Sequence, residues 1–161
     1  MNAIVAVCDD WGIGHEGSLL VRNRADMHRF VELTMGGTVL MGRTTFQGFP
    51  GGALKGRRNV VLTRQEGWEA PGVEVARTVE EALELVAPDE PRVWLIGGAS
   101  VYRELLPRCQ RAYVTVNHVT RPADAFFPNL DQDPAWQVEA REEGGTTKSG
   151  IPFEFVTYVR G

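Results

Sequence analysis

The order of its apolar segments constrains the fold of this chain more than any other feature of the sequence. Short apolar runs rich in β-branched residues predict strands at residues 2–7 (NAIVAV), 38–42 (TVLMG), 58–63 (RNVVLT) and 92–98 (RVWLIGG). Apolar residues at helical spacing predict helices over residues 24–35 and 79–86, with further helices that begin at Arg43 and near Ala99. Strands that alternate with helices in this way form a mostly parallel sheet that carries helices on its faces.

The last third of the chain follows a different pattern, because turns rather than helices separate its apolar runs. These runs predict strands at residues 112–119 (AYVTVNHV), 136–142 (WQVEARE) and 153–159 (FEFVTYV). We expect these strands to pair antiparallel at one edge of the sheet. A chain of 161 residues without an internal repeat or linker has the size of one domain. Residues 1–161 are therefore predicted to form a single α/β domain.

The charge and cysteine content exclude several classes of protein. The net charge is −4, and no run of five or more like charges could form a nucleic-acid-binding tail. Cys8 and Cys109 lack the paired spacing of a zinc site or a disulfide framework, which predicts buried thiols in a reducing compartment. No apolar run approaches the roughly 20 residues that cross a bilayer, and the N-terminus lacks a signal-peptide pattern. We expect a cytoplasmic protein that binds neither membranes nor nucleic acid.

One glycine-bearing segment follows the second predicted strand, at the sheet edge where ligands bind in such folds. Gly42 precedes Arg43, Thr44 and Thr45. The free N–H groups that open a helix there would suit a phosphate. An ordinary capped turn from strand to helix would have the same sequence.

A second segment, Gly97 and Gly98, ends the fourth predicted strand and permits a ligand to approach the backbone closely. Ser100 and the amides after it would open another helix. The segment does not match the G-x-G-x-x-G pattern, and a simple tight turn would also explain it. Together with the Gly42 segment and with Arg64, which follows the third strand, it favours a bound molecule with several phosphates.

Asp26 lies four residues before Phe30, on the helix face that a globular protein normally buries. An ionised carboxylate against an aromatic wall is costly unless a partner donates hydrogen bonds to both of its oxygens. The alternative is structural: Asn23 would cap the helix, and Asp26 would be its third residue, where an acid favours the helix dipole and satisfies backbone donors. The residues alone support both interpretations.

The three histidines form no catalytic or metal-binding pattern. His15 lies in the glycine-rich loop predicted over residues 8–17, His28 lies on the helix face opposite Phe30, and His118 lies in a predicted strand. No two of them have the spacing of metal ligands or of a histidine–carboxylate pair. No metal site is predicted.

Eight segments of the chain, taken in order, resemble the dihydrofolate reductase family. They are AVCDDWGIG, RADMHRF, VLMGRTTF, LKGRRNVVLT, WLIGGASVYREL, YVTVNH, DAFFP and FEFVTY. The resemblance extends from Ile4 to the final strand. It implies the fold of that family, an eight-stranded and mostly parallel sheet with flanking helices and an antiparallel C-terminal edge.

The resemblance also implies which residues bind the substrate, 7,8-dihydrofolate. Asp26 would accept hydrogen bonds from the 2-amino group and N3 of the pterin, and Phe30 would stack against the pterin and benzoyl rings. Arg57 would pair with the α-carboxylate of the glutamate tail. The other residues of the pocket would be Ile4, Val5, Ala6, Met27, Leu54, Ile96, Tyr102 and Thr115.

The implied cofactor is NADPH, whose extra phosphate distinguishes it from NADH. The residues near the 2′-phosphate would be Arg43, Thr63 and Arg64, and those around the pyrophosphate would be Gly42, Thr45, Gly98, Ala99 and Ser100. Ala6 and Ile13 would offer backbone groups to the nicotinamide carboxamide. The remaining contacts implied are Gly14, Thr44, Leu62, Gly97 and Val101. The segment from Asp9 to Asn23 would act as a lid.

The implied activity is transfer of a hydride to pterin C6 with protonation of N5, in a monomer that antifolates such as methotrexate and trimethoprim inhibit. Two alternatives are a pyrimidine reductase of riboflavin synthesis with the same fold, and a non-catalytic protein that binds dinucleotides or antifolates. One departure from the family pattern stands out. Leu20 and Val21 replace the usual Pro-Trp before the first helix, which removes an indole N–H that commonly holds a water near the pterin.

Overall fold

The chain forms eleven strands and four α-helices, and the computed structural model describes residues 1–161. The strands are β1 (Asn2–Cys8), β2 (Gly12–His15), β3 (Ser18–Leu19), β4 (Thr38–Gly42), β5 (Arg58–Leu62), β6 (Val73–Ala76), β7 (Val93–Gly97), β8 (Arg111–Asn117), β9 (Ala125–Phe126), β10 (Trp136–Thr146) and β11 (Pro152–Arg160). The helices are α1 (Arg24–Thr34), α2 (Arg43–Gln47), α3 (Val79–Val86) and α4 (Ala99–Leu105). Three short 3₁₀ turns occupy Ala87–Asp89, Leu106–Arg108 and Leu130–Gln132.

Eight of the strands form one sheet in the order β10-β11-β8-β1-β7-β4-β5-β6. The strands from β8 across to β6 pair parallel, whereas β10 and β11 add antiparallel to β8. The predicted sheet, with its antiparallel C-terminal edge, is confirmed. The first strand of the chain lies inside the sheet, so segments from both halves of the sequence meet beside it.

Local sequence patterns predicted most of the helices and strands at the positions that the structure shows. The helix predicted over residues 79–86 is α3 with the same bounds, and it begins where the Thr78 side chain accepts a hydrogen bond from the Glu81 N–H at 3.1 Å. The sequence patterns did not predict β6, which is four residues long and carries an exposed glutamate at position 74. A segment of four residues that includes a charged one shows too little alternation of apolar and polar residues to predict a strand.

The loop predicted over residues 8–17 is wrong in part, because β2 falls within it. β2 pairs with β3 on one side and with β9 on the other to form a second, three-stranded sheet. Gly12 is paired with Phe126 and Gly14 with Ala125. A glycine-rich strand whose partner lies more than a hundred residues away leaves no local pattern in the sequence.

The core divides between the two faces of the large sheet. The larger cluster lies under α3 and α4 and includes Leu40, Val60, Leu95 and Leu105, while the smaller one includes Phe46 of α2 and has Phe30 and Leu33 of α1 against it. Both cysteines are free and buried, as predicted. None of the helices combines the length and the apolar character that a membrane crossing requires.

Leu40→Ala should lower the free energy of unfolding by about 3 kcal/mol, because it opens a cavity at a fully buried position of β4. The same substitution at Leu19, whose side chain is 73% exposed, should change it by less than about 0.5 kcal/mol. Urea unfolding at equilibrium measures both. Equal losses at the two positions would contradict this assignment of the core.

Candidate active site

A gap opens between two neighbouring strands at the carboxyl edge of the large sheet. β1 pairs with β7 only through Asn2 and Ala3, whereas its pairing with β8 continues to Cys8. The backbone of residues 4–6 is therefore unpaired on the β7 side. Open α/β sheets bind ligands at such a point, where neighbouring strands continue into different parts of the fold.

Helix α1 begins beside this gap because a buried asparagine holds its first turn. The Asn23 side-chain oxygen accepts a hydrogen bond from the Asp26 N–H at 3.1 Å, and its Nδ2 donates to Asn117 Oδ1 of β8 at 2.9 Å. The capping interpretation is thus right for Asn23. It does not extend to the carboxyl of Asp26, which caps no backbone group and turns toward the sheet.

The Asp26 carboxylate meets a buried hydroxyl of β8. Thr115 Oγ1 donates to Asp26 Oδ1 at 2.6 Å, and Thr115 is only 2% exposed. No protein group donates to Asp26 Oδ2. Burial raises the pKa of Asp26 above that of an ordinary carboxyl, while the Thr115 hydrogen bond and the charge of Arg29 act in the opposite direction. An acid in this environment is suited to a ligand that donates hydrogen bonds.

Apolar side chains from β1, β7 and α1 form the walls beside Asp26. Phe30, Leu54 and Ile96 are half-buried and pack against the smaller core cluster, which includes Ile4. Met27 is 51% exposed on α1, as expected of a side chain that lines an open cleft. Val5 differs from Ile4, Phe30, Leu54 and Ile96, because its side chain lies in the larger cluster on the opposite face of the sheet.

Tyr102 of α4 fixes the backbone of β1 at the gap. It is buried, and its hydroxyl donates to the Ile4 carbonyl at 2.7 Å. Burial, with the nearby negative charge of Asp26 as a further cause, raises the pKa of Tyr102, so the phenol stays neutral. Ala6 is opposite Thr115 in the parallel pair of β1 and β8, which places its backbone beside the carboxylate.

Arg57 lies at the far end of α1 from Asp26. Its Nη1 donates to Thr34 Oγ1 at 3.1 Å and its Nε donates to the Lys55 carbonyl at 3.0 Å, while Nη2 has no acceptor in the protein. The Cζ atom lies 6.0 Å from the centre of the Phe30 ring. The buried Asn59 holds this loop, because its Nδ2 donates to the carbonyl of Arg57 at 2.9 Å. A fixed guanidinium with free donors is suited to a carboxylate.

The two glycine segments predicted from the sequence converge where β4 and β7 end. A Cβ atom added to Gly42 would lie 3.0 Å from the Val101 side chain and 3.9 Å from the Gly98 nitrogen. Gly97 has φ +118°, which favours glycine, and a side chain there would also meet the Tyr102 ring at 3.2 Å. Thr45 Oγ1 lies 3.4 Å from the position of a Cβ atom on Gly98. The first turns of α2 and α4 therefore face one surface.

The other residues predicted at the cofactor end surround these helix starts. Arg64 follows β5, its side chain is 84% exposed, and its Nη2 lies 3.9 Å from Glu104 Oε1. The buried Thr63 accepts a hydrogen bond from the Gln65 N–H at 3.2 Å. The first turns of α2 and α4 hold Arg43, Thr44, Ala99 and Ser100, and Leu62 ends β5.

The predicted lid is ordered by its partner strand. Gly14 accepts a hydrogen bond from the Asp124 N–H at 2.9 Å, and Asp124 Oδ2 accepts one from the Glu16 N–H at 2.8 Å. The half-buried Ile13 of β2 packs against the larger core cluster. Near the end of the lid, the Leu20 carbonyl accepts a hydrogen bond from Arg121.

Several side-chain contacts between distant segments could not be seen in sequence spacing. Spacing in the sequence indicated no carboxylate partner for a histidine, yet His118 Nδ1 lies 2.9 Å from Asp9 Oδ1 and its Nε2 lies 3.0 Å from Glu154 Oε2. The hydrogen bond to Asp9 raises the pKa of His118. Sequence spacing also did not indicate Asn59, whose side chain holds the Arg57 loop.

Comparisons with known proteins agree with this geometry. The family model described as dihydrofolate reductase matches residues 1–160. Dihydrofolate reductase type 3 of Salmonella typhimurium is 36% identical over 99% of this chain and 98% of its own length, and the dihydrofolate reductase of Mycobacterium leprae is 44% identical over 92% and 90%. The solved structure of dihydrofolate reductase from Enterococcus faecalis complexed with NADP(H) and RAB-propyl has a TM-score of 0.88 and 34% identity, covering 99% of this chain and 95% of that one.

Asp26→Asn should raise the free energy of unfolding at pH 7 by about 1 kcal/mol, because burial disfavours the ionised carboxylate. A carboxyl whose pKa rises on folding contributes stability while it is protonated and loses that contribution as the pH rises through its folded pKa. The difference between variant and wild type should therefore shrink at pH 4. Urea unfolding at both pH values, with Glu32→Gln as a control at an exposed position of α1, measures this. A variant that is less stable than wild type at pH 7 would contradict it.

Proposed function

Because the chain belongs to the dihydrofolate reductase family, we propose that the cleft beside β1 binds 7,8-dihydrofolate with its pterin against Asp26 and its glutamate tail against Arg57. The chain is an NADPH-dependent oxidoreductase that reduces dihydrofolate to 5,6,7,8-tetrahydrofolate. The roles of individual residues in this reaction are those that the family resemblance implies, and the geometry of the cleft supports them.

The contact between Asp26 and Thr115 is the observation that carries the assignment. One carboxylate oxygen accepts from Thr115 at 2.6 Å, and the other has no donor in the protein. The 2-amino group and N3 of a pterin form a planar pair of donors, which matches a carboxylate well. Such a ligand supplies the hydrogen bonds that burial removes from Asp26. The half-buried ring of Phe30 and the exposed side chain of Met27 provide apolar surface for the flat heterocycle.

The tail of the substrate fits the basic end of the cleft. Phe30 lies between Asp26 and Arg57 along α1, and the Arg57 guanidinium is 6.0 Å from its ring centre. A molecule that reaches from Asp26 past this ring would bring a carboxylate to the free Nη2 of Arg57. Thr34 and Asn59 hold the arginine loop in place, which lowers the entropy lost on binding.

The residues at the ends of β4 and β7 fit NADPH. Side chains on Gly42 or Gly98 would fill the surface where the helix starts converge, so glycine leaves room for a pyrophosphate against the backbone. Arg43 and Arg64 add positive charge for the 2′-phosphate, and Thr45 adds a hydroxyl. The unpaired backbone of Ala6 and the lid residues Ile13 and Gly14 lie on the side of the pterin cleft.

The protein contributes alignment and electrostatics to the reaction. When bound, NADPH supplies the hydride that reduces pterin C6. Asp26 holds the opposite edge of the ring, and its negative charge favours the protonated N5, which receives its proton from water. Tyr102 fixes the Ile4 carbonyl at the gap, and the lid strands exclude solvent from the cleft. Val21 offers no side-chain donor near Asp26, so proton delivery does not use an indole N–H in this chain.

We further propose that the enzyme acts as a monomer in the cytoplasm, and that it binds antifolates in the pterin cleft. Both cysteines are buried as free thiols, which supports a reducing compartment. The combination of Asp26, Phe30 and Arg57 favours a pterin with a carboxylate tail over the ribosyl phosphate substrate of a pyrimidine reductase.

The assay that tests this function follows NADPH absorbance with dihydrofolate, with and without methotrexate. Wild-type protein should turn over and be inhibited. Asp26→Asn should lower turnover at neutral pH by about a hundredfold or more, since a neutral amide does not favour the protonated pterin. The dissociation constant for NADPH should stay nearly unchanged, because Asp26 lies away from the glycine segments.

The alternatives give different results in this assay. Equal losses of cofactor affinity and turnover in Asp26→Asn would mean that Asp26 serves the helix rather than the substrate. A non-catalytic binding protein would bind both ligands without consuming NADPH. A pyrimidine reductase would oxidise NADPH only with its own pyrimidine.

Arg57→Met should raise KM for dihydrofolate by about ten- to a hundredfold, because it removes a charge-assisted pair to the tail carboxylate. The variant should reduce 6-methyl-7,8-dihydropterin, which has no tail, as well as wild type does. Lys55→Met, at an exposed position in the same loop, is the control. Steady-state kinetics with both substrates measures the effect, and an equal loss with both would place Arg57 outside the tail site.

A further inference from the structure

Arg29 is an unusual charged residue of helix α1. Among the charged and histidine side chains of this helix, only Asp26 and Arg29 are half-buried, and the others are exposed. They are three positions apart, so they are neighbours on the helix surface. The Arg29 guanidinium lies over two aromatic rings, with its Cζ atom 4.2 Å from the centre of Phe155 and 5.8 Å from that of Tyr113.

The sheet places this arginine beside the residue that binds Asp26. Phe155 of β11 is opposite Thr115 of β8 in the antiparallel pair, and Thr115 donates the hydrogen bond to Asp26. The ring under Arg29 therefore neighbours the hydroxyl that holds the carboxylate. Strand register fixes this arrangement, so the position of the guanidinium does not depend on a mobile loop.

The guanidinium is not neutralised by a direct partner. Arg29 makes no hydrogen bond with the protein, and no acid lies within 4.0 Å of it. In contrast, Arg58 is paired with both Glu74 and Asp89. Burial lowers the pKa of Arg29, yet an arginine stays protonated throughout the physiological range. Its charge acts on Asp26 through a region that is partly shielded from solvent ions.

We propose that Arg29 is a positioning residue that keeps the Asp26 carboxyl ionised in the free enzyme, acting through space from its place over the Phe155 ring. The inference rests on the proposed function, because it gives Asp26 the task of binding the pterin. Burial beside Phe30 favours the neutral acid, whose own O–H is a donor and which therefore cannot accept hydrogen bonds at both oxygens from the pterin. The charge of Arg29 offsets this effect and leaves a larger fraction of the enzyme ready to bind.

Other titratable groups near Arg29 and Asp26 determine how strongly the arginine charge favours ionisation of the Asp26 carboxyl. Glu142 of β10 is opposite Phe155 in the strand pairing, and its negative charge opposes that of the Arg29 guanidinium over this ring. The Tyr113 ring of β8 also lies near the guanidinium. Tyr102 of α4 faces Asp26 as a neutral phenol, because its pKa is raised. Removal of the Arg29 charge should make Asp26 harder to ionise, and removal of the Glu142 charge should make it easier.

The test compares Arg29→Met with Arg24→Met, which removes the same charge from an exposed position two residues before Asp26. Carbon-13 NMR of the labelled Asp26 carboxyl gives its titration in the protein without ligand. A second measure of Asp26 ionisation is the ratio of the trimethoprim affinity at pH 6.5 to that at pH 5. Trimethoprim is a cationic diaminopyrimidine, so it requires the ionised Asp26 carboxylate. In Arg29→Met the midpoint should move to higher pH and the affinity ratio should rise about three- to tenfold, while Arg24→Met stays near wild type.

Two further variants separate charge from packing. Arg29→Lys should restore most of the wild-type titration, and Glu142→Gln should move the midpoint to lower pH while it leaves the stacked arginine in place. Glu142→Gln therefore keeps the test valid where Arg29→Met does not fold. Any of three results would overturn the proposal. The titration midpoint of Asp26 could be the same in Arg29→Met and Arg24→Met, it could fail to return toward the wild-type value in Arg29→Lys, or it could fail to move to lower pH in Glu142→Gln. Absence of dihydrofolate turnover in wild type would refute the proposed function instead, since the titration needs no substrate.

Discussion

The hydrogen bond from Thr115 to the Asp26 carboxylate is the interaction on which the rest of the site depends. A half-buried acid between an aromatic ring and a sheet is unfavourable unless donors reach it. Thr115 of β8 provides one donor, whose Oγ1 lies 2.6 Å from Asp26 Oδ1, and Asn23 orients the helix turn that carries the acid. The protein leaves the second oxygen to the ligand. The folded protein thus holds a carboxylate with one oxygen that lacks a donor. The hydrogen bonds that a ligand donates to this oxygen contribute to the free energy of binding.

The sheet topology explains why this acid lies next to the residues proposed to bind the cofactor. β1 separates from β7 after Ala3 and stays paired with β8 to Cys8. The gap exposes backbone of β1 between the helix that carries Asp26 and the glycines that end β7. Gly42, at the end of β4, meets Val101 of α4 across the same edge. One structural feature therefore brings the proposed pterin site and the proposed dinucleotide site next to each other, which a hydride transfer requires.

Local patterns in the sequence predicted the helices, most strands and the face shared by Asp26 and Phe30. They did not predict β2, β3 and β9, because β2 pairs with β9 across more than a hundred residues and β3 is only two residues long. The partners of Asp26 and His118 are also distant in sequence, so no spacing rule contains them. The residue roles came from resemblance to a family, and resemblance did not indicate Arg29. Its position became visible only when strand register placed Phe155 beside Thr115.

The central claim is that the pterin supplies the donors that Asp26 lacks in the free protein. Carbon-13 NMR of the Asp26 carboxyl, recorded across the acid range without ligand and with saturating dihydrofolate, tests it most directly. Hydrogen bonds from the ring to the ionised carboxylate should move the titration midpoint to lower pH when the substrate binds. A carboxyl signal that titrates identically with and without dihydrofolate would contradict the account.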